Sequence, residues 1–67
     1  MKAQVELYLC YPDGNWDYRS IIVKLDRDLG TYSLGEIFEL ASAEYYALYP
    51  SSGVIGLGIG YYKEWED

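Results

Sequence analysis

The chain contains no histidine and a single cysteine, Cys10. Without histidine it cannot form a Ser–His or Cys–His nucleophile pair, and it lacks the commonest metal ligand. One cysteine excludes an intrachain disulfide and, without histidine, a structural zinc site within one chain. No hydrophobic run is long enough to span a bilayer, and no apolar signal segment follows the first residues. We therefore expect a cytoplasmic protein with no catalytic residues, no metal and no cofactor.

Basic residues are also scarce, with five Lys and Arg against eleven Asp and Glu and a net charge of −6. No base occurs between Arg27 and Lys63. Such an acidic balance repels phosphate backbones and anionic membranes and favours basic partners. The same charge is also typical of small domains that need it only for solubility.

Tyrosine is abundant, with nine copies beside two tryptophans in 67 residues. A tyrosine ring buries apolar area while its hydroxyl stays hydrated, which suits half-buried surfaces and interfaces. A core of this size needs few such rings. The surplus indicates a surface that contacts another molecule or a second copy.

The most regular pattern predicts an amphipathic helix over residues 34–49. Ser33 and Glu36 have the spacing of a capping box, in which each side chain accepts a hydrogen bond from the other residue's backbone N–H. Pro50 ends the helix because it disfavours the helical conformation of the residue before it. The apolar face repeats at intervals of three and four residues and consists of Leu34, Ile37, Phe38, Ala41, Tyr45 and Leu48.

Two strands joined by a tight turn precede the helix. Apolar and polar side chains alternate over residues 2–11, and a second strand is predicted over residues 16–25. Between them, Pro12-Asp13-Gly14 suits a three-residue loop with a glycine bulge, which pairs Leu7 with Arg19. A four-residue loop would turn the opposite side chains of the second strand inward. The turn chemistry favours the three-residue loop.

A third strand is predicted over residues 54–63, where every second residue is glycine at positions 56, 58 and 60. The third glycine comes one residue too early for a dinucleotide-binding fingerprint, and no helix follows. Alternate glycines instead leave a groove for a ring of the same chain or for a partner, and we favour the first. A regular alternation would turn the intervening residues towards the helix, namely Ile55, Leu57, Ile59 and Tyr61.

The element order β-β-α-β predicts a single α+β domain over residues 1–67, with one helix packed on one face of a three-stranded sheet. A strand–helix–strand crossover in one sheet is almost always right-handed, so the third strand should run parallel to the second. Placing it beside the first strand gives the order 2-1-3 and makes the most apolar strand central.

The other sheet face is predicted to carry an aromatic set that no remaining element covers, formed by Tyr8, Trp16, Tyr18 and Tyr62. Tyrosine and tryptophan are enriched at protein interfaces, so this set could bind a partner or close a homodimer. Platforms that stack single-stranded nucleic acid need a basic groove. This face offers at most Lys24 and Lys63, so we expect no direct contact with nucleic acid.

A second candidate surface is an acidic strip made by Asp26, Asp28, Glu36, Glu39 and Glu44. It could imitate a phosphate backbone towards a basic, nucleic-acid-binding protein, although a solvated face is the commoner explanation of a charge run. Residues 13–17 begin like a calcium loop, but Tyr18 stands where that loop needs glycine and Lys24 where it needs glutamate. A hairpin turn accounts for these residues without a metal.

The sequence therefore favours a non-enzymatic, acidic protein-binding module that docks on a basic partner. Small phage-encoded inhibitors such as anti-CRISPR proteins share this size and acidity, so an inhibitor that mimics nucleic acid is the sharper hypothesis, by analogy. The alternative is a structural homodimer associating through its aromatic sheet face. An enzyme would need an active site shared between subunits, because carboxylate catalysis requires a shielded cleft.

Overall fold

Three strands and one long helix make up the described part of the chain, residues 1–66, in a computed structural model. Compared with the predicted bounds, the third strand begins and ends two residues later. A short 3-10 helix precedes the long helix. The elements are β1 (Lys2–Cys10), β2 (Trp16–Lys24), the 3-10 helix (Leu29–Thr31), α1 (Leu34–Leu48) and β3 (Gly56–Trp65).

The strands form one sheet in the order β2-β1-β3. Since β1 is antiparallel to both neighbours, β2 and β3 run parallel to each other. This confirms the α+β fold with the β-β-α-β layout and the strand order 2-1-3. The central strand is the one whose alternate residues are most deeply buried.

The hairpin between β1 and β2 has the predicted three-residue loop. Gly14 has a φ of 86°, which glycine adopts without steric cost. The backbone N–H of Tyr11 donates to the carbonyl of Asn15 at 2.9 Å and closes the loop. Leu7 consequently pairs with Arg19, as the favoured register requires.

The start of α1 is fixed by a complete capping box. The Ser33 hydroxyl accepts from the backbone N–H of Glu36 at 3.2 Å. In return, a Glu36 carboxylate oxygen accepts from the backbone N–H of Ser33 at 2.8 Å. These two bonds satisfy backbone donors that the first turn leaves without intrahelical partners, as the sequence predicts.

The core lies between α1 and one face of the sheet. The helix contributes Ile37, Ala41 and Tyr45, all from its middle turns. The prediction that Leu34 and Leu48 join this core is wrong, because they lie on the terminal turns and are 56% and 55% exposed. The strands contribute Ala3, Val5, Leu7, Leu9, Ile21 and Val23, and Leu25 follows β2.

A β-bulge in β3 reverses the expected alternation of that strand. Leu7 pairs with Ile59, but Val5 pairs with Tyr62, so two β3 residues stand opposite the single residue between them. An extra residue in one strand exchanges the two faces beyond it. Tyr62 therefore faces the helix side and packs against the core.

Two predictions about β3 are consequently wrong. Tyr62 does not belong to the aromatic face, and Tyr61, expected to pack on the helix, is exposed. Ile55, also expected to pack on the helix, precedes β3 and is 70% exposed. Beyond the bulge, Lys63 pairs with Gln4, so it shares the side of the sheet that faces away from α1. The bulge cannot be read from alternation alone, although glycine inside a strand often marks one.

Within residues 1–66, no helix combines the length and the apolar character needed to cross a membrane.

Candidate functional site

The side of the sheet facing away from α1 has no covering element within residues 1–66. We call it the open face and define it by the strand residues that alternate with the buried ones. Directly paired residues of neighbouring strands point to the same side, so the register assigns them. They are Lys2, Gln4, Glu6, Tyr8 and Cys10 on β1, Trp16, Tyr18, Ser20, Ile22 and Lys24 on β2, and Gly56, Gly58, Gly60, Lys63 and Trp65 on β3.

Three of the four predicted aromatic residues are on this face. Trp16 is 65% exposed, Tyr18 58% and Tyr8 40%. The Tyr8 ring contacts the other two edge-on, with centroid separations of 5.9 Å to Trp16 and 6.4 Å to Tyr18. Edge-to-face packing of this kind holds the rings in place while leaving much of their surface in solvent.

The register arranges this half of the face in rows that run across the three strands. Cys10 pairs with Trp16 on one side and with Gly56 on the other. Tyr8 likewise pairs with Tyr18 on one side and with Gly58 on the other. Each row therefore has a large ring on β2 and a glycine on β3.

Part of the glycine groove is filled by the chain itself. A Cβ on Gly60 would lie 3.1 Å from the Tyr8 ring and 3.1 Å from the Glu6 carboxylate. This confirms packing by a ring of the same chain at Gly60. At Gly58 a Cβ would meet Tyr8 at an ordinary 3.9 Å, and at Gly56 it would meet nothing within 4 Å. The groove remains open beside these two glycines.

The lysines gather on the open face at the end away from the hairpin. Lys2 pairs with Lys24 and with Trp65, and Lys63 pairs with Gln4 in the adjacent row. All three lysines of the chain are therefore on this face, and Glu6 is its one acidic residue in the described chain.

Sequence reasoning missed Lys2 and Trp65 as members of this face. Lys2 could have been found from the alternation, since it precedes the buried Ala3. Trp65 could not, because its side depends on the bulge. It is 40% exposed and belongs to the last row of the sheet.

The acidic strip is only partly assembled. Asp26, Glu36 and Glu39 line a shallow cavity of about 240 Å³ together with Arg27, Tyr32 and Leu40. Asp28 is outside this lining. Glu44 is half-buried and lies about 140° around the helix from Glu39, because each residue advances about 100°. The five acids do not form one continuous strip.

Arg27 neutralises the central member of the strip. Its guanidinium contacts the Glu36 carboxylate at 2.8 Å and stacks over the Tyr32 ring, with Cζ 4.0 Å from the centroid. The pKa of Glu36 is lowered, first by the hydrogen bond from the Ser33 backbone and then by the one from Arg27. Glu36 is thus occupied by capping and by an ion pair within the chain.

The calcium-like segment forms a hairpin turn. The Asp13 carboxylate accepts from the backbone N–H of Asn15 at 3.0 Å and from its side-chain amide at 2.8 Å. The turn therefore uses Asp13 as a local acceptor, as residues of this type do in turns. In the stretch from Met1 to Glu66, no three His, Cys, Asp or Glu side chains lie close enough to hold a metal ion together.

Comparisons of the chain with protein-family models, with curated proteins and with solved structures find no match.

Proposed function

We propose that the protein is a non-enzymatic protein-binding module whose contact surface is the open face. The observation that supports this proposal is the concentration of half-exposed rings on one uncovered side of the sheet: Tyr8, Trp16, Tyr18 and Trp65. Together they present on the order of 400 Å² of aromatic surface to solvent. The Tyr8 ring contacts those of Trp16 and Tyr18, so the three form one patch, and a contiguous exposed patch of this kind often marks an interaction site.

The chemistry of the chain supports binding over catalysis. It has no histidine, and its acidic cavity is shallow and contains an ion pair, Arg27 with Glu36. A general acid or base needs a shifted pKa in a water-poor cleft. The single free cysteine, Cys10, suits the reducing conditions of the cytoplasm, which is part of the same proposal.

The experiment compares two charge insertions at tyrosines of similar exposure. Tyr18→Lys alters the open face, whereas Tyr46→Lys alters the outer side of α1, where Tyr46 is 47% exposed. Wild-type protein and both variants are immobilised, and the proteins they retain are quantified, including added free copies of the chain itself. We expect Tyr18→Lys to lose a retained protein that the other two keep. Equal retention by all three would contradict the proposal.

A second candidate function is docking on a basic partner through the acidic side, as an inhibitor that mimics nucleic acid would do. The observation that favours it is the segregation of charge. Nine of the ten acids within residues 1–66 lie off the open face, which carries all three lysines. The open face carries three lysines and one acid, Glu6, so its own net charge is positive. The rest of the molecule is therefore more acidic than the net charge of −6 indicates. Such a surface attracts basic proteins.

This second function is tested by Asp28→Asn with Glu39→Gln against a control of equal charge, Glu64→Gln with Glu66→Gln. A basic partner should be lost from the first pair of substitutions more than from the second, and it should elute as salt rises, since salt screens exposed charges. If both pairs of substitutions have equal effects, Asp28 and Glu39 do not bind the partner specifically, and the acidic charge serves only solubility.

A further inference from the structure

We propose that the open face binds a second copy of this chain, face to face, about a two-fold axis that runs parallel to β1. This inference rests on the proposed function, because it names the partner for the same surface. This axis defines one arrangement among the many in which two sheets could pack face to face.

The rows of the open face near the hairpin are bulky at one edge strand and empty at the other. In the row of Cys10, the ring of Trp16 stands on β2 and Gly56 stands on β3. In the next row, Tyr18 and Gly58 hold the same positions on either side of Tyr8. The face therefore has a ridge along one edge strand and a groove along the other, at the same height along the central strand.

A two-fold axis parallel to β1 places β2 of one copy over β3 of the other and leaves β1 over β1. Because it does not shift positions along the strands, it sets Trp16 over Gly56 of the second copy and Tyr18 over Gly58. The ridge of each copy then enters the groove of the other. An isologous interface requires this kind of self-complementarity. Large residues opposite small ones also let facing layers interdigitate at native density.

The other end of the face matches under the same operation. Lys24 on β2 and Trp65 on β3 occupy the same row, one on each side of Lys2. The axis therefore brings Lys24 of each copy over Trp65 of the other. A lysine ammonium over a tryptophan face is a favourable cation–π contact, strongest when it is desolvated. This contact and the shape of the face point to the same axis, while the like charges of Lys2 and Glu6, which lie on β1, oppose it.

The size of the face is adequate for a dimer. The half-exposed rings alone account for about half of the roughly 800 Å² per partner that a standard interface buries, before the flanking residues are counted. Facing sheets pack about 10 Å apart with aligned strands, and one large side chain opposite a glycine fills that distance. The dimer would give this small sheet a second apolar layer.

The residues of β1 lie along the axis, which gives the arrangement two specific markers. Cys10 faces its own copy across the interface, at a distance beyond the reach of a disulfide because the sheets are about 10 Å apart. Glu6 also faces its own copy, and two carboxylates brought together oppose association. Removing that charge should tighten the dimer.

The first experiment measures mass by light scattering from about 10 µM to about 1 mM chain, a range over which mass action drives a weak dimer together. We expect the mass to rise from 7.7 kDa towards twice that value. A short bismaleimide should then join the two Cys10 thiols into one covalent dimer, and Cys10→Ser should abolish this product. A monomer throughout the range would overturn the proposal.

The second experiment fills the groove without disturbing the fold. Gly56→Leu adds a side chain where nothing lies within 4 Å, and Gly30→Leu does the same in the 3-10 helix, away from the face. We expect Gly56→Leu to weaken dimerisation by about tenfold or more and Gly30→Leu to leave it unchanged. Glu6→Gln should strengthen it. If Gly56→Leu dimerises like wild type, the axis proposed here is wrong.

One result would leave the proposed function standing while overturning this inference: the chain stays monomeric, yet a different protein is lost with Tyr18→Lys. A dimer that resists both Gly56→Leu and Tyr18→Lys would be assigned to a sheet edge and would also overturn this inference. The proposed function would then stand only if another protein is lost with Tyr18→Lys. Binding of a single-stranded oligonucleotide by the monomer, lost with Trp16→Ala, would instead overturn both proposals in favour of nucleic acid.

Discussion

The guanidinium of Arg19 lies over the Tyr49 ring, with its Cζ 4.5 Å from the ring centroid, and also donates a hydrogen bond to the Tyr49 hydroxyl at 3.1 Å. The tyrosine in turn packs against the buried Tyr45 ring, 5.1 Å away between centroids. Arg19 belongs to β2 and Tyr49 directly follows α1. This pair therefore ties the edge strand of the hairpin to the end of the helix, outside the apolar core.

We expect Arg19→Gln to lower the free energy of unfolding by about 1 kcal/mol, since it removes both the cation–π contact and the hydrogen bond. Tyr49→Phe keeps the ring under the guanidinium and should lose less. Urea unfolding followed by tryptophan fluorescence measures both. If Tyr49→Phe proves the more damaging of the two, the Tyr49 hydroxyl stabilises the fold through a partner other than Arg19 and this ranking is wrong.

Ser33→Ala should destabilise the protein by about 1 kcal/mol, because the Glu36 backbone N–H loses its capping acceptor. Ser33→Asn keeps an acceptor at the same position and should restore most of the loss. Both values come from the same urea titration. Equal stabilities for the two variants would mean that the cap contributes nothing measurable.

The hydrogen bonds that the Glu36 carboxylate accepts from the Ser33 backbone and from Arg27 should make stability depend on pH. The folded protein lowers the pKa of Glu36 below its usual value of 4.5, so its contribution is fully present above that value. It is lost as the pH falls through the lowered pKa, because the unfolded chain binds the proton more readily. Unfolding titrations of wild type and Glu36→Gln should therefore differ at neutral pH and converge in acid. A difference that persists unchanged in acid would contradict this account.

Ser42→Ala is expected to stabilise the protein by about 1 kcal/mol. The Ser42 hydroxyl is buried on α1 and has no hydrogen-bond partner among the described residues, and an unsatisfied buried hydroxyl costs free energy. Alanine also has the higher helix propensity. Ser51→Ala, at an exposed turn position, serves as the control and should change little. A loss of stability in Ser42→Ala would show that its hydroxyl has a partner in solution.

Leu7→Ala should cost about 2–5 kcal/mol, because Leu7 is fully buried at the centre of the central strand. A loss of that size is comparable with the whole stability of so small a domain. Leu48→Ala removes the same atoms from a side chain that is largely exposed. Circular dichroism melting curves should show a large drop for Leu7→Ala and a small one for Leu48→Ala. Similar drops would mean that the end of α1 is buried in solution.

The features that the sequence predicts correctly are those set by short-range rules. The capping box depends on two residues three apart, and the three-residue loop at residues 12–14 fixes every pairing between β1 and β2. The handedness of the crossover predicts that β2 and β3 run parallel, and the burial of the most apolar strand predicts the order 2-1-3. Each of these rests on chemistry that a short window of sequence contains.

The features that it misses depend on partners distant in sequence. The Arg19 contact with Tyr49 spans 30 residues, and nothing in either neighbourhood specifies the other. The bulge exchanged Tyr61 with Tyr62, because its position is set by pairing with β1 and not by the alternation of β3 itself. Trp65 joined the open face for the same reason. For the candidate site, composition predicts the aromatic character and the sequence allows Lys24 and Lys63 on this face, whereas the membership of Trp65 needs the register.

At the bulge formed by Gly60 and Tyr61, the alternation of core-facing and outward-facing residues in β3 shifts by one residue. Before it, the odd-numbered residues face the core, and after it, the even-numbered residues do. Deleting one of these two residues would remove the bulge and leave Tyr62 opposite Val5, still on the core side, without shortening the sheet. Pairing β3 with β1 without the bulge but with both residues kept would instead turn Tyr61 towards the core and Tyr62 away from it. In this chain, one extra residue in one strand decides which side chains the molecule displays to its surroundings.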